Sequence, residues 1–260
     1  ELIKGILFSS KTWGENREYA QLLTSVEWDM YEQTLQKDDF WFFINKEKKV
    51  TSTYTHMDLI FEILADKYIS QVSVSVDKDI DAYYSFYILN ELLEKKMKTH
   101  KDLWSEVKVI YRMFEEWYNN NEYYHLVGFL SHSEANIRAI LDQFSRVPKR
   151  EFKEYLISEI RSLFSNGKRP ILNSDDLREL SYLESRDYSD LYRVVLLHNV
   201  ITSMNSRNIR FPFDRLINEK WSLEHIHAQN SEMIRKNSMR ISILTDQLGY
   251  FQKNYAQDPI

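Results

Sequence analysis

The chain has 260 residues, a net charge of −5, 43% apolar and 28% charged residues, five Gly, four Pro and no Cys. Enough apolar material for a core and a well-charged surface exclude an intrinsically disordered chain, and the absence of Cys excludes disulfides, thiolate zinc sites and cysteine nucleophiles. So few Gly and Pro argue against sandwiches, dinucleotide-binding folds and P-loops, which need Gly at turns, and for long helices with short connections. The length suits one large domain or two ordinary ones. No apolar run of about 18 residues could span a membrane, and so mild a net charge decides nothing about nucleic acid. The chain opens on Glu1 and carries no signal peptide, so a cytoplasmic protein, a piece of something longer, is expected.

Along the chain, Tyr19, Leu22, Leu23, Val26, Met30 and Leu35 follow a helical period and predict a first helix from about residue 15 with these as its apolar face. Asp38-Asp39 ends it, and Phe40-Trp41-Phe42-Phe43-Ile44 reads as a buried segment and candidate short strand. A second helix is predicted over 56–69, capped by Thr55, with Leu59, Ile60, Ile63 and Leu64 inward. Residues 71–76 alternate Val with polar residues and read as a strand. The next helix, over 79–98, has Tyr83, Phe86, Tyr87, Leu89, Leu93 and Met97 as its expected core.

Residues 102–119 give the clearest pattern: Leu103, Val107, Ile110, Phe114 and Trp117 form a seam facing another helix. Helices over 123–130 and 133–144 follow, the latter capped by Ser133. One over 149–164 stops at Asn166-Gly167 with Pro170 beyond. The last bundle helix, over 189–204, carries Leu191, Val194, Val195, Leu197 and Ile201. After Asn205 the character changes: Phe211 precedes a proline and cannot be helical, and residues 221–226 look like a strand. The boundary is therefore placed near residue 205.

Of the seven histidines, His125 and His198 read as helix residues with a satisfied polar edge, and His56, His100 and His132 as surface residues near helix starts. The helical zinc-protease pattern is absent. The stretch Trp221-Ser222-Leu223-Glu224-His225-Ile226-His227 differs, because alternation puts Trp221, Leu223, His225 and His227 on one face. Phosphodiester hydrolysis needs a base that titrates near neutrality and a divalent cation beside the scissile phosphate. A His next to a carboxylate can serve both needs. Glu224-His225-Ile226 alone also fits an ordinary strand with a solvent-facing Glu. Arg207, Arg210, Arg215 and Lys220 lead into it and could neutralise DNA phosphates. A second basic stretch, residues 146–169, holds seven Lys and Arg against three Glu and reads as a solvated helix face.

Phe211-Pro212-Phe213-Asp214 running into Glu219 through Gln229 resembles the start of the nuclease in GmrSD-like restriction proteins. Glu27-Trp28-Asp29 through Phe40-Trp41 and Leu103-Trp104 through Leu130 are similar to helical segments of the same family. The resemblance implies an antiphage DNA endonuclease with a ParB-like nucleotide-hydrolysing domain, a helical region and a C-terminal HNH (His-metal finger) nuclease. It implies modified phage DNA as target. His225 would then be the general base and Glu224 a ligand of Mg²⁺ or another divalent cation. The family's Asp-Gly-Gln-Gln-Arg nucleotide motif is absent, so this chain is not expected to hydrolyse nucleotide. Only 33 residues follow His227, in which residues 239–245 could form a second strand and Asn254 could stand on the metal-binding helix. The expected fold is mainly α: a multi-helix domain over 1–205, then the start of a small α+β HNH-type nuclease module over 206–260. A non-catalytic helical module that binds DNA or protein stays open as the alternative.

Overall fold

Twelve α-helices and one 3-10 turn make up the regular structure, and no strand occurs among the described residues. The structure is a computed structural model and describes residues 2–9, 17–47, 54–74, 76, 81–133, 135–165, 170–171, 173–181, 184, 187–206, 209–223 and 245. The chain divides into two compact units, residues 1–221 and 222–260. The twelve described helices belong to the first.

Helix α6 (His100–Asn119) is the centre of that unit. Thr99 caps it: its side chain accepts from the Asp102 backbone while Asp102 reaches back to the Thr99 backbone, a reciprocal pair that satisfies two orphan donors. Leu103, Val107, Phe114 and Trp117 are buried, as the seam predicts, Ile110 is half-buried, and Trp104 and Tyr111 widen the buried face. Trp104 and Tyr111 meet α2 (Arg17–Leu35), where Trp28 stacks on Trp104 at 5.9 Å and Tyr31 on Tyr111 at 3.8 Å. Glu27 of α2 closes this contact by accepting from the Trp104 indole at 2.7 Å and from Lys108 at 3.0 Å. At the other end of α6, Trp117 stacks on Phe152 of α9 (Lys149–Ser165) and meets Phe144 of α8 (Ile137–Arg146) edge-on.

Around this centre lie α1 (Leu2–Ser9), α3 (Asp38–Ile44), α4 (Asp58–Tyr68) with its 3-10 continuation Ile69–Gln71, and α5 (Tyr84–Glu94). Helix α7 (Asn121–His132) runs through the core with Tyr123 to Ser131 all buried. The short α10 (Ser174–Arg178), α11 (Tyr188–Asn205) and α12 (Phe213–Asn218) complete the unit. Helix α5 ends in Lys96 at φ 54°. The Met97 N–H reaches back to Leu92 O and the Lys96 N–H to Leu93 O, the double bond of a left-handed helix stop. A lysine therefore occupies a position that glycine usually fills.

Several expectations are corrected. Of the stripe assigned to the first helix, Leu35 is buried as expected, but Tyr19, Leu22, Leu23, Val26 and Met30 face outward, with Tyr19 65%, Leu22 63% and Val26 59% exposed, and Thr24, Trp28 and Tyr31 are buried instead. Helix α2 has two apolar faces, and the aromatic one wins the core. Phe40 to Ile44 is helical, because Asp38 and Asp39 favour the first turn of a helix and all five residues are buried in α3. Residues 71–74 and 76 form no strand, and the Ser73 N–H goes to the Glu91 carboxylate of α5. Of the core expected over 79–98, Leu89 is buried and Phe86 and Leu93 are half-buried, while Tyr83, Tyr87 and Met97 are exposed; Tyr84, Ser85, Ile88, Glu91 and Leu92 are buried in α5 besides Leu89. Helix α8 is capped by Asn136 and not by Ser133. Helix α11 buries Leu196 and Val200 and leaves His198 exposed. His56 and His132 are not surface residues: His56 lies 4.0 Å from the Trp41 ring and His132 stacks on Phe213. The expected α+β module falls largely outside the described residues; Trp221, Ser222 and Leu223, which read as strand, take no regular structure.

Candidate functional site

Residues 209–221, which sequence alone groups with the segment that follows, pack on the helical unit. Phe211 and Phe213 are buried, and Phe213 enters a notch that only glycine leaves open. A Cβ at Gly128 would stand 2.2 Å from the Phe213 ring. Tyr124 and His132 flank the same ring at 5.5 and 5.0 Å, one turn of α7 on each side of Gly128. The backbone is gripped as well: the Tyr124 hydroxyl donates to Phe211 O at 3.0 Å, and the Phe211 N–H donates to His125 Nε2 at 3.0 Å.

That grip fixes two histidine tautomers. His125 donates from Nδ1 to Asn121 O at 2.7 Å, so its Nε2 is free to accept only while the ring is neutral. Burial holds its pKa below the usual histidine value, with the Arg210 charge adding to the effect against the Asn121 bond. His132 points Nε2 at Phe42 O of α3, 2.6 Å away, and burial pushes it down to about 4. Both rings are neutral at pH 7, and both belong to the clamp on Phe211 and Phe213.

The basic residues proposed for DNA are held by different partners. Arg210 lies over the Tyr118 and Tyr124 rings at 5.0 and 4.9 Å. Burial, together with the Asp39 carboxylate that accepts its hydroxyl proton, pushes Tyr118 up to about 12. Arg215 donates to both oxygens of Glu219, at 2.8 and 3.3 Å, and the Trp221 indole donates to the same carboxylate at 2.7 Å. Lys220 follows α12 at φ 52°, where the Trp221 N–H returns to Leu216 O as in the stop of α5. The Arg215 charge is thus offset locally, whereas Arg210 and Lys220 remain exposed cations. Arg207, Glu224, His225 and His227 lie outside the described residues. Beside Trp221 opens a cleft of about 320 Å³ between the end of α7 and Tyr188, Tyr192 and Arg193 of α11.

Sequence reading missed the role of His132, Gly128 and Phe213. One signal was present: an isolated Gly inside a strongly apolar helix costs about 1 kcal/mol against Ala and has a packing reason when it is kept there. Among the described residues no three His, Asp or Glu side chains stand together as a metal site. No described helix is long and apolar enough to cross a membrane. Comparison with protein-family models, with curated proteins and with solved structures finds no match.

Proposed function

We propose that the helical unit carries and aims the catalytic segment of a metal-dependent DNA endonuclease that acts in antiphage restriction. The observation that supports this reading is the clamp: Phe211 and Phe213 are buried against α7, and three residues before Glu224 the Trp221 N–H is tied back to Leu216 O of α12. A rigid seat immediately upstream of a catalytic pair is what orientation of a nucleophile requires, since small misplacements of reacting groups are costly. In this reading His225 takes the proton of the attacking water. Glu224 is the carboxylate assigned to a divalent cation, which when bound stabilises charge on the leaving oxygen. Exposed Arg210 and Lys220, with Arg207, are the phosphate contacts proposed beside it.

Plasmid nicking that needs Mg²⁺, is lost in His225→Ala and survives in His227→Ala supports this function. Binding of DNA without cleavage under every divalent metal overturns it. The second reading, a non-catalytic binding module, is favoured by a different observation, the exposed apolar stripe Tyr19, Leu22, Leu23, Val26 and Met30 on α2.

A further inference from the structure

A cavity of about 410 Å³ opens between α1, α4 and α5, remote in sequence from the clamp, and its lining has an unusual composition. Five aromatic residues contribute: Trp28, Tyr54, Phe61, Tyr83 and Phe86. Two carboxylates, Asp58 and Glu62, join them, and no Lys, Arg or His does among the described residues. The cleft between α4, α6 and α8 is the control inside the same molecule. There Lys67, Arg138 and Arg146 match Asp66, Glu106 and Asp142, so its charges cancel.

We propose that the cavity between α1, α4 and α5 binds a small organic cation of the methylated-ammonium class. A ring face attracts a cation through its quadrupole, an effect that grows when the cation is desolvated, and methyl groups on nitrogen suit a lining that is mostly apolar. The volume is that of a small-molecule site. Three features of the wall agree with this ligand. Lys4, outside the lining, already stands 5.2 Å from the Trp28 ring centre, so this indole presents a face to an ammonium in the folded protein. Asp58 is held in place by the Thr55 N–H and hydroxyl, at 2.6 and 2.9 Å, and neither donor carries a charge. Glu62 lies 3.6 Å from the Arg138 guanidinium, which it shares with Asp66. Tyr54 reports the field of the lining carboxylates: burial first, then the Glu62 and Asp58 charges, push its hydroxyl above the ordinary tyrosine value against the weaker pull of Arg138.

The test is calorimetric titration of the full chain with choline and with its uncharged tert-butyl isostere. Choline should bind saturably and about tenfold or more tighter than the isostere, the gain expected when desolvated rings and carboxylates act together. Glu62→Gln should remove most of that preference while leaving the isostere unchanged. Should Glu62→Gln unfold, as circular dichroism would reveal, Tyr83→Ala carries the test: Tyr83 is 44% exposed and its loss should weaken choline several-fold without unfolding the chain. Equal affinity for the two probes would reduce the cavity to an apolar hollow. No saturable choline binding, or choline binding unaffected by both substitutions, overturns the assignment.

Discussion

Helices α2 and α6 are nearly equal in length, 19 and 20 residues, lie against each other, and were read from sequence by the same rule with opposite success. Helix α6 has one apolar stripe, so its periodicity has one solution and the seam is the core. Helix α2 has two. Tyr19, Leu22, Leu23, Val26 and Met30 lie on one side, and Thr24, Trp28, Tyr31 and Leu35 on the other. The first stripe holds more aliphatic residues, but the second, spaced 4, 3 and 4 like the seam of α6, carries the aromatic rings that stack on Trp104 and Tyr111. Aromatic side chains bury about 150–250 Å² each and gain further from ring contacts, so the aromatic face wins where two faces compete.

The largest effects should come from the rings on the inner faces of both helices. Trp117→Ala on α6 and Trp28→Ala on α2 should each lower stability by roughly 3–5 kcal/mol in urea melts, although periodicity singled out only the first as core. The Trp117 indole N–H finds no acceptor among the described residues, so Trp117→Phe should cost far less than Trp117→Ala. A small loss in Trp28→Ala would return the core to the first stripe.

Acid should separate the clamp on α7 from the α2–α6 contact. His132 is neutral in the fold, with its pKa pushed down to about 4 from 6.5 by burial, so the unfolded chain takes up a proton first as pH falls. Stability is fully present above pH 6.5 and declines down to about pH 4, by on the order of 3 kcal/mol. His125 adds to the loss in the same direction, because a protonated ring cannot accept from the Phe211 N–H. Protection of the Phe211 amide, measured against its intrinsic exchange rate at each pH, should therefore fall on mild acidification before protection in the α2–α6 contact does. Simultaneous loss at both places would show the clamp and the helix pair to be one unit.

Gly128→Ala should cost roughly 1–3 kcal/mol by overpacking Phe213, and it should increase protease cleavage near residue 211. Lys96→Gly should stabilise by about 0.5–1 kcal/mol, because glycine relieves the left-handed strain at the stop of α5 while giving back some chain entropy. Val26→Asp on the exposed face of α2 should change stability by less than about 0.5 kcal/mol. A larger loss in that variant would break the contrast with α6 by showing the outer stripe to be covered in solution.

Legibility followed how many solutions each pattern allowed. The helical class, α4 with its inward Leu59, Ile60, Ile63 and Leu64, and the seam of α6 were all readable because one face dominates. Helix α7 is buried on every side, so periodicity carries no phase there, and His132 passed for a surface residue. The aromatic run of α3 satisfies strand propensity as well as it satisfies a buried helical turn, and only packing against α7 and α12 decides. The clamp itself depends on residues about 85 positions apart, Tyr124 with Phe211 and His125 with Phe211, a separation no local pattern reports. The stops at Lys96 and Lys220 were invisible for a simpler reason: the usual glycine is not there.

The near-parallel stack of Trp28 on Trp104, with planes 12° apart and centres 5.9 Å apart, also gives the α2–α6 contact an optical identity. Two indoles held at fixed distance and angle couple their electronic transitions. The pair should therefore contribute a dichroic couplet that neither ring gives alone and that vanishes when either is replaced by Phe. Spectroscopy can then follow the separation of these two helices in the unlabelled protein, independently of the helical signal of the rest of the chain.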